Sequence, residues 1–282
     1  MMRKGTPQLC ISKFGEVDEG FVQWVRDTLS ECYEKVNVET LELVDVYLFE
    51  KEEYAKASMR EDKMRLGIDT TLDEAFITTH DAWTGIPRIF ICVETLNRIP
   101  YEVRRGALHH EATHSILHGS LEFYMISIPR DLQDLVEKLH PPSALIQGII
   151  YLASVAVKDY EVTKLLYERG FIDDQVAFAA YFLQPSDEEM TAWVMASASS
   201  TTIILFLVSL MKSIACALPL ADDGKWGGQI SMAIKSYINY LPEEQKRTLL
   251  DIMKIFKNFT GQFHEDLRAI LREITKTFSQ PS

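Results

Sequence analysis

Hydrophobic and polar positions follow two periods along this chain, and the change from one to the other divides it. Residues 16 to 35 place Val17, Phe21, Trp24, Val25 and Leu29 at helical spacing, which predicts an amphipathic helix. Leu41 to Phe49 (LELVDVYLF) carries β-branched and aromatic residues on both alternating faces, as a strand covered on each side does. Lys51 to Leu66 is dense in charge and predicts a surface helix. Two short strands are expected next, Ala75 to Thr79 and Arg88 to Val93, with a turn region from His80 to Gly85 between them and Pro87 opening the second. Pro100 then introduces a helix from the first-turn position, where the missing N–H of proline costs nothing.

From Gly119 onward the helical period takes over. A short helix from Pro129 to Leu139 is closed by His140-Pro141-Pro142, and a long one runs from Ser143 to Arg169, ended by Gly170. Its middle, Ile149 to Val157 (IIYLASVAV), is apolar all round and predicts a helix buried in the centre of the fold. Further helices fit Asp173 to Leu183, Asp187 to Leu218, Gln229 to Tyr240, Pro242 to Asn258 and His264 to Phe278. Met190 to Met211 has no charge in 22 residues, enough to span a bilayer. Five serines and threonines between Ser197 and Thr202 dilute it, and a Ser186/Glu189 capping box starts it, so a buried helix is expected there and not a membrane span. The whole predicts an α+β, predominantly helical protein. A core over residues 1–170 holds a small sheet, and a helical region over 171–282 packs on it as one compact unit.

Composition changes this picture mainly by exclusion. The 282 residues, 47% hydrophobic and 25% charged, suffice for a substantial core. A formal charge of −12 with no basic run opposes binding to nucleic acid or to an anionic membrane surface. Cys10, Cys32, Cys92 and Cys216 lack paired spacing, which predicts reduced, buried thiols and no cysteine metal site. Met1 to Gly15 contains no apolar run of signal type, so a cytoplasmic protein is expected.

Candidate chemistry concentrates in His110-Glu111-Ala112-Thr113-His114, which fits H-E-x-x-H. Residues four apart share a helix face, about 5–6 Å between Cβ atoms, so both imidazoles can reach one Zn²⁺ at about 2.0–2.1 Å. Val103, Ala107, His110, His114 and Leu117 form one stripe, which places both histidines on the buried side, where each needs a partner that a shared metal supplies. Glu111 then stands beside the metal as the base for a water whose pKa falls to about 7. His118 lies eight residues, about 12 Å of helix rise, from His110 and is too far to share its ion. It is expected as a last-turn histidine near the helix carbonyls, with Gly119 as the C′ residue. His109, outside the pattern, is expected to be partly exposed.

Short strands followed by a helix bearing H-E-x-x-H resemble the zincin superfamily of metallopeptidases, in which a small twisted sheet precedes that helix and an edge strand pairs with extended substrate. The string His110-Glu111-x-x-His114-x-x-Leu117-His118-Gly119 is similar, over about ten residues, to the short zincin domain of peptidases that cleave phage-type repressors. The resemblance implies one zinc per chain and a peptide or protein substrate, with Arg88 to Val93 as the strand that receives it. A metzincin third histidine would fall at Ser120, so the gluzincin pattern, a carboxylate from a later helix, is implied for the third ligand. Asp159 and Glu161 are the acidic positions where the apolar Ile149–Val157 segment runs on into Val162, Leu165 and Leu166. Glu161 shares a face with Val157 and Leu165 and reaches further, so it is the expected ligand, with Asp159 as the alternative. The expected function is a zinc metallopeptidase with Glu111 as base. The alternative is a zinc-bound zincin-type module that binds or senses without hydrolysis, and a membrane-anchored peptidase would require the 190–211 segment to span a bilayer.

Overall fold

The computed structural model describes residues 6–37, 41–66, 77–126, 132–133 and 142–278. The chain forms an α+β, predominantly helical fold with a four-stranded mixed sheet. It divides into two compact units, one of residues 1–125 with 165–178, the other of 126–164 with 179–282.

In the first unit, β1 (Gln8–Phe14) leads through α1 (Glu19–Val36) to β2 (Leu43–Phe49), which pairs with β1 in parallel over its whole length. Asp18 starts α1 by accepting from the Phe21 amide at 3.1 Å, and Asn37, at φ 59°, ends it in the left-handed region. After α2 (Glu52–Leu66), β3 (Thr78–Asp81) runs antiparallel to β4 (Arg88–Cys92), and β4 is parallel to β2. The sheet order is β1-β2-β4-β3. Val44, Val46 and Leu48 of β2 and Ile89 and Ile91 of β4 are fully buried, while Ala55 of α2 packs on Phe49 and Phe90.

Arg88 opens β4 from the inside. Its guanidinium is buried, bonded twice to Asp81 at 2.7 and 2.8 Å and once to Asp62 at 2.6 Å. These bidentate and charge-assisted bonds fix the end of β3 against β4 and α2. They hold the guanidinium proton more tightly than usual against the opposing effect of burial. The expectation that Arg88 to Val93 is an edge strand is therefore overturned. All five residues of β4 are buried and both its edges are paired, so the edge next to it is β3.

A short helix α3 (Val93–Leu96) and then α4 (Tyr101–Leu117), introduced by Pro100, complete the run to the motif. After them the first unit takes in the end of α5 (Ser143–Glu168) and the start of α6 (Ile172–Phe182), joined through Gly170 at φ 78°.

The second unit is built from the rest of α5 and α6 with α7 (Asp187–Ala196), α8 (Ser200–Ala217), α9 (Gly227–Tyr237), α10 (Glu243–Met253) and α11 (Phe263–Phe278). The single helix expected from Asp187 to Leu218 is two. Ser199 leaves the helix, accepts from the Thr202 amide at 3.2 Å and caps a new one. Ser200–Leu220, with a mean hydropathy of 2.2, is long and apolar enough to cross a membrane, and 61% of that stretch is buried in the fold. The predicted helix at 129–139 lies almost wholly outside the described residues.

Candidate metal centre

The motif helix α4 is buried on every side from Gly106 to Ser115, not along one stripe, and Leu117 is only half-buried. Three neighbours produce this. On the α1 side, the Tyr33 hydroxyl meets Ser115 Oγ at 2.8 Å and Cys32 Sγ lies 3.5 Å from Thr113 Oγ1. Burial pushes the Cys32 thiol up to about 12 and raises the Tyr33 phenol as well, so both remain protonated. Strands β3 and β4 supply the second neighbour, and residues 171–178 the third, where α4 comes so close that a Cβ on Gly106 would lie 2.5 Å from the Asp174 carbonyl.

His109 shows how complete this enclosure is. It is fully buried, its Nδ1 is 2.6 Å from Asp174 Oδ2 and its ring packs on Phe171. The expected partial exposure is therefore wrong, because a third layer covers the side of α4 that the motif leaves free. At the other end, Gly119 is not left-handed. It is required because a Cβ there would stand 2.1 Å from the Ser115 carbonyl and 2.7 Å from Pro87.

Within α4, the Nε2 atoms of His110 and His114 lie 3.0 Å apart. Two nitrogens on one tetrahedral zinc at about 2.0–2.1 Å stand about 3.3 Å apart, so the pair fits a shared ion with a shift of a few tenths of an ångström. His110 packs its ring near Phe178, and the other nitrogen of His114, Nδ1, faces His118 Nδ1 at 3.1 Å. His118 stands at the C-cap of α4, as expected, and its Nδ1 is turned to His114. Its buried ring meets His114 on the side away from His110, and a ligating histidine is commonly oriented through its second nitrogen in this way.

Glu111 is held at both oxygens. Oε1 accepts from Thr78 Oγ1 at 2.9 Å, and Oε2 lies 2.8 Å from His80 Nδ1. The His80 ring also stacks on His114, with centroids 3.7 Å apart and planes 14° from parallel. His80, Glu111 and His114 therefore form a group with ligand-type atoms within 4.8 Å of one another. Reading the sequence placed His80 in a turn. The signal that identifies it is the alternation Thr78-x-His80, which puts both side chains on one face of β3.

Glu161 belongs to the second unit. Its carboxyl is raised to about 7, chiefly by burial and then by the charge of Asp266 on α11, with Lys158 and Lys164 acting in the opposite sense. Asp266 is itself bonded to the amides of Thr260 and Gly261 at 2.9 Å each.

No protein-family model matches this chain, and neither a curated protein nor a solved structure is significantly similar to it.

Proposed function

We propose that this protein is a zinc-dependent metallopeptidase of zincin type, in which His110 and His114 hold the metal and Glu111 is the general base. The observation that carries the reading is the pair of Nε2 atoms 3.0 Å apart on one helix, with an oriented carboxylate from the same turn of that helix. When bound, zinc supplies Lewis-acid chemistry and lowers the pKa of a water to about 7. Glu111 accepts the proton released from that water and delivers it to the leaving amine, the usual service of a general acid–base residue. Its low exposure makes the carboxylate a stronger electrostatic partner than it would be in bulk water. An extended peptide is the substrate. The outer edge of β3 pairs with nothing among the described residues, and strand addition there would bring a backbone past Thr78 and His80. A catalytic zinc normally takes a third protein ligand beside the two histidines.

A second reading, the non-hydrolytic module, draws support from one observation: both oxygens of Glu111 are already engaged. One experiment separates the two. Purified protein should contain close to one zinc per chain by plasma emission spectrometry, and His110→Ala or His114→Ala should lose it. Glu111→Gln should keep zinc while its hydrolysis of casein falls by about 10²–10⁴-fold. Metal-free native protein would end the zinc reading, and a zinc-bound wild type as inactive as Glu111→Gln on every substrate would favour the module.

A further inference from the structure

Strand β3 has two faces with two different tasks. Asp81, on one, clamps Arg88 of β4, which also grips Asp62 of α2, so the strand is fixed to the sheet by charge-assisted bonds. Thr78 and His80, on the other, each reach one oxygen of Glu111 on α4. A glutamate side chain left to itself samples several rotamers, and ordering it costs entropy. A base also has to be held to about 0.5 Å and 10–20° to be useful.

The proximity of His80 to His114 and Glu111 invites a second reading, a metal site made of those three residues. The ring geometry argues against it. An imidazole lone pair lies in the ring plane, and the His80 and His114 rings are stacked with centroids 3.7 Å apart and planes 14° from parallel. An ion in the plane of His114 is therefore well out of the plane of His80. The His80 nitrogen that approaches Glu111 does so at ordinary hydrogen-bond distance, as an N–H donating to a carboxylate.

On the peptidase reading, we infer that His80 is a positioning residue for the base, with Thr78 as the second hold. Together they fix the plane of the Glu111 carboxylate beside the two histidines. An ionised carboxylate offers about four acceptor sites, so two such bonds leave lone pairs to take the proton from water. Because the same strand presents the open edge, the position of the base is set by the element along which an extended peptide would lie.

The test uses the zinc-loaded full chain and four variants, His80→Ala, His80→Asn, Thr78→Val and Glu111→Gln, assayed on an internally quenched peptide. His80→Ala should lower kcat by about 10–100-fold while KM stays within about twofold and zinc stoichiometry is unchanged. His80→Asn, whose side-chain amide places a donor near the lost Nδ1, should recover at least tenfold of a hundredfold loss, or most of a smaller one. Thr78→Val should show a smaller fall in kcat alone. A His80→Ala enzyme within twofold of wild type, beside an inactive Glu111→Gln, would overturn this inference and leave the peptidase reading standing. Loss of zinc from His80→Ala would overturn it too, by making His80 a ligand. Should His80→Ala fail to fold, His80→Asn decides: kcat above a tenth of wild type supports the inference, and a lower value with full zinc content refutes it. A Glu111→Gln variant as active as wild type would instead remove Glu111 as the base and this inference with it, and an inactive zinc-loaded wild type would remove the peptidase reading itself.

Discussion

Gly106→Ala tests whether the motif helix is held as closely as the structure places it. In an exposed helix interior this change stabilises by about 1 kcal/mol, because alanine is the better helix former. Here the new Cβ would meet the Asp174 carbonyl oxygen at 2.5 Å and Phe178 Cβ at 2.8 Å, where ordinary contact begins at 3.4 Å. Relieving the first contact requires a separation of about 0.9 Å between α4 and residues 172–178. Overpacking of this kind costs about 1–3 kcal/mol. The same movement stretches the buried bond from Gln175 Nε2 to the Gly106 carbonyl, now 3.0 Å, and the 2.6 Å contact of His109 with Asp174, together worth about 2–4 kcal/mol. Set against the propensity gain, the net expectation is a loss of about 2–6 kcal/mol, measured by urea unfolding followed by circular dichroism. Zinc affinity should weaken as well, since His110 packs near Phe178 on the displaced segment. Gly228→Ala is the control. It sits in the first turn of α9 with nothing within 4 Å of its Cβ position and should be neutral or stabilising by up to about 1 kcal/mol. A Gly106→Ala protein as stable as wild type, with undiminished zinc affinity, would show that the helices do not cross at this distance.

Glu161 should make the metal-free second unit less stable as pH rises. An acid whose folded pKa, about 7, exceeds its unfolded 4.5 holds its proton better when folded, so its contribution is complete below about 4.5 and is lost as pH climbs through 7. Glu161→Gln, in chelator, should therefore raise stability at pH 8 by on the order of 1–3 kcal/mol and change little at pH 4.5, and equal effects at both pH values would refute the assignment. The thiols should divide by exposure. Only Cys10 is exposed, so Ellman's reagent should modify one thiol of the native chain quickly and the buried Cys32, Cys92 and Cys216 only on unfolding, whereas four equal rates would contradict the packing around α1 and α4.

Much of the fold was legible because burial and period coincide. Residues 16–35 and 41–49 carry strong patterns and form α1 and β2 within a few residues of expectation. Strand β1 was missed since its pattern is weak. QLCISKF is an edge strand whose residues are exposed or half-buried, so alternation hardly separates its faces. The reverse error assigned the edge to β4, although a run apolar on both faces indicates an interior strand. That edge role came from the zincin resemblance and not from the residues, and the charge of Arg88 inside is met by two carboxylates. The break between α7 and α8 was hidden because the chain stays free of charge across it, and only Ser199 as a cap marks the stop. At the site, His110, Glu111 and His114 were visible because their spacing is local. His80, Thr78, His118 and Asp174 were not, because three of the four meet the motif from other parts of the chain and the contact of His118 depends on how α4 ends.

His114 is the residue on which these contacts converge, and the proton arithmetic of its ring leaves two ways to satisfy it. A neutral imidazole has one donor and one acceptor nitrogen. If Nδ1–H of His114 donates to His118 at 3.1 Å, the Nε2 lone pair is left facing His110 Nε2 at 3.0 Å. Two lone pairs cannot oppose each other at that distance without a positive centre between them. Either a proton on His110 Nε2 supplies it, or a metal ion does. A proton on His110 Nε2 would make the pair an ordinary hydrogen bond, and on the proposed reading His110 and His114 would instead both give their lone pairs to zinc, which would supply an acidified water for Glu111. His118 fixes the tautomer from one side of His114, and His80 stacks on its face while holding Glu111. On the proposed reading, ligand and base are oriented by the same buried cluster of histidines, so that a substitution at His80 removes a hold on Glu111 and a ring stacked on His114 while leaving His110 and the His118 contact in place.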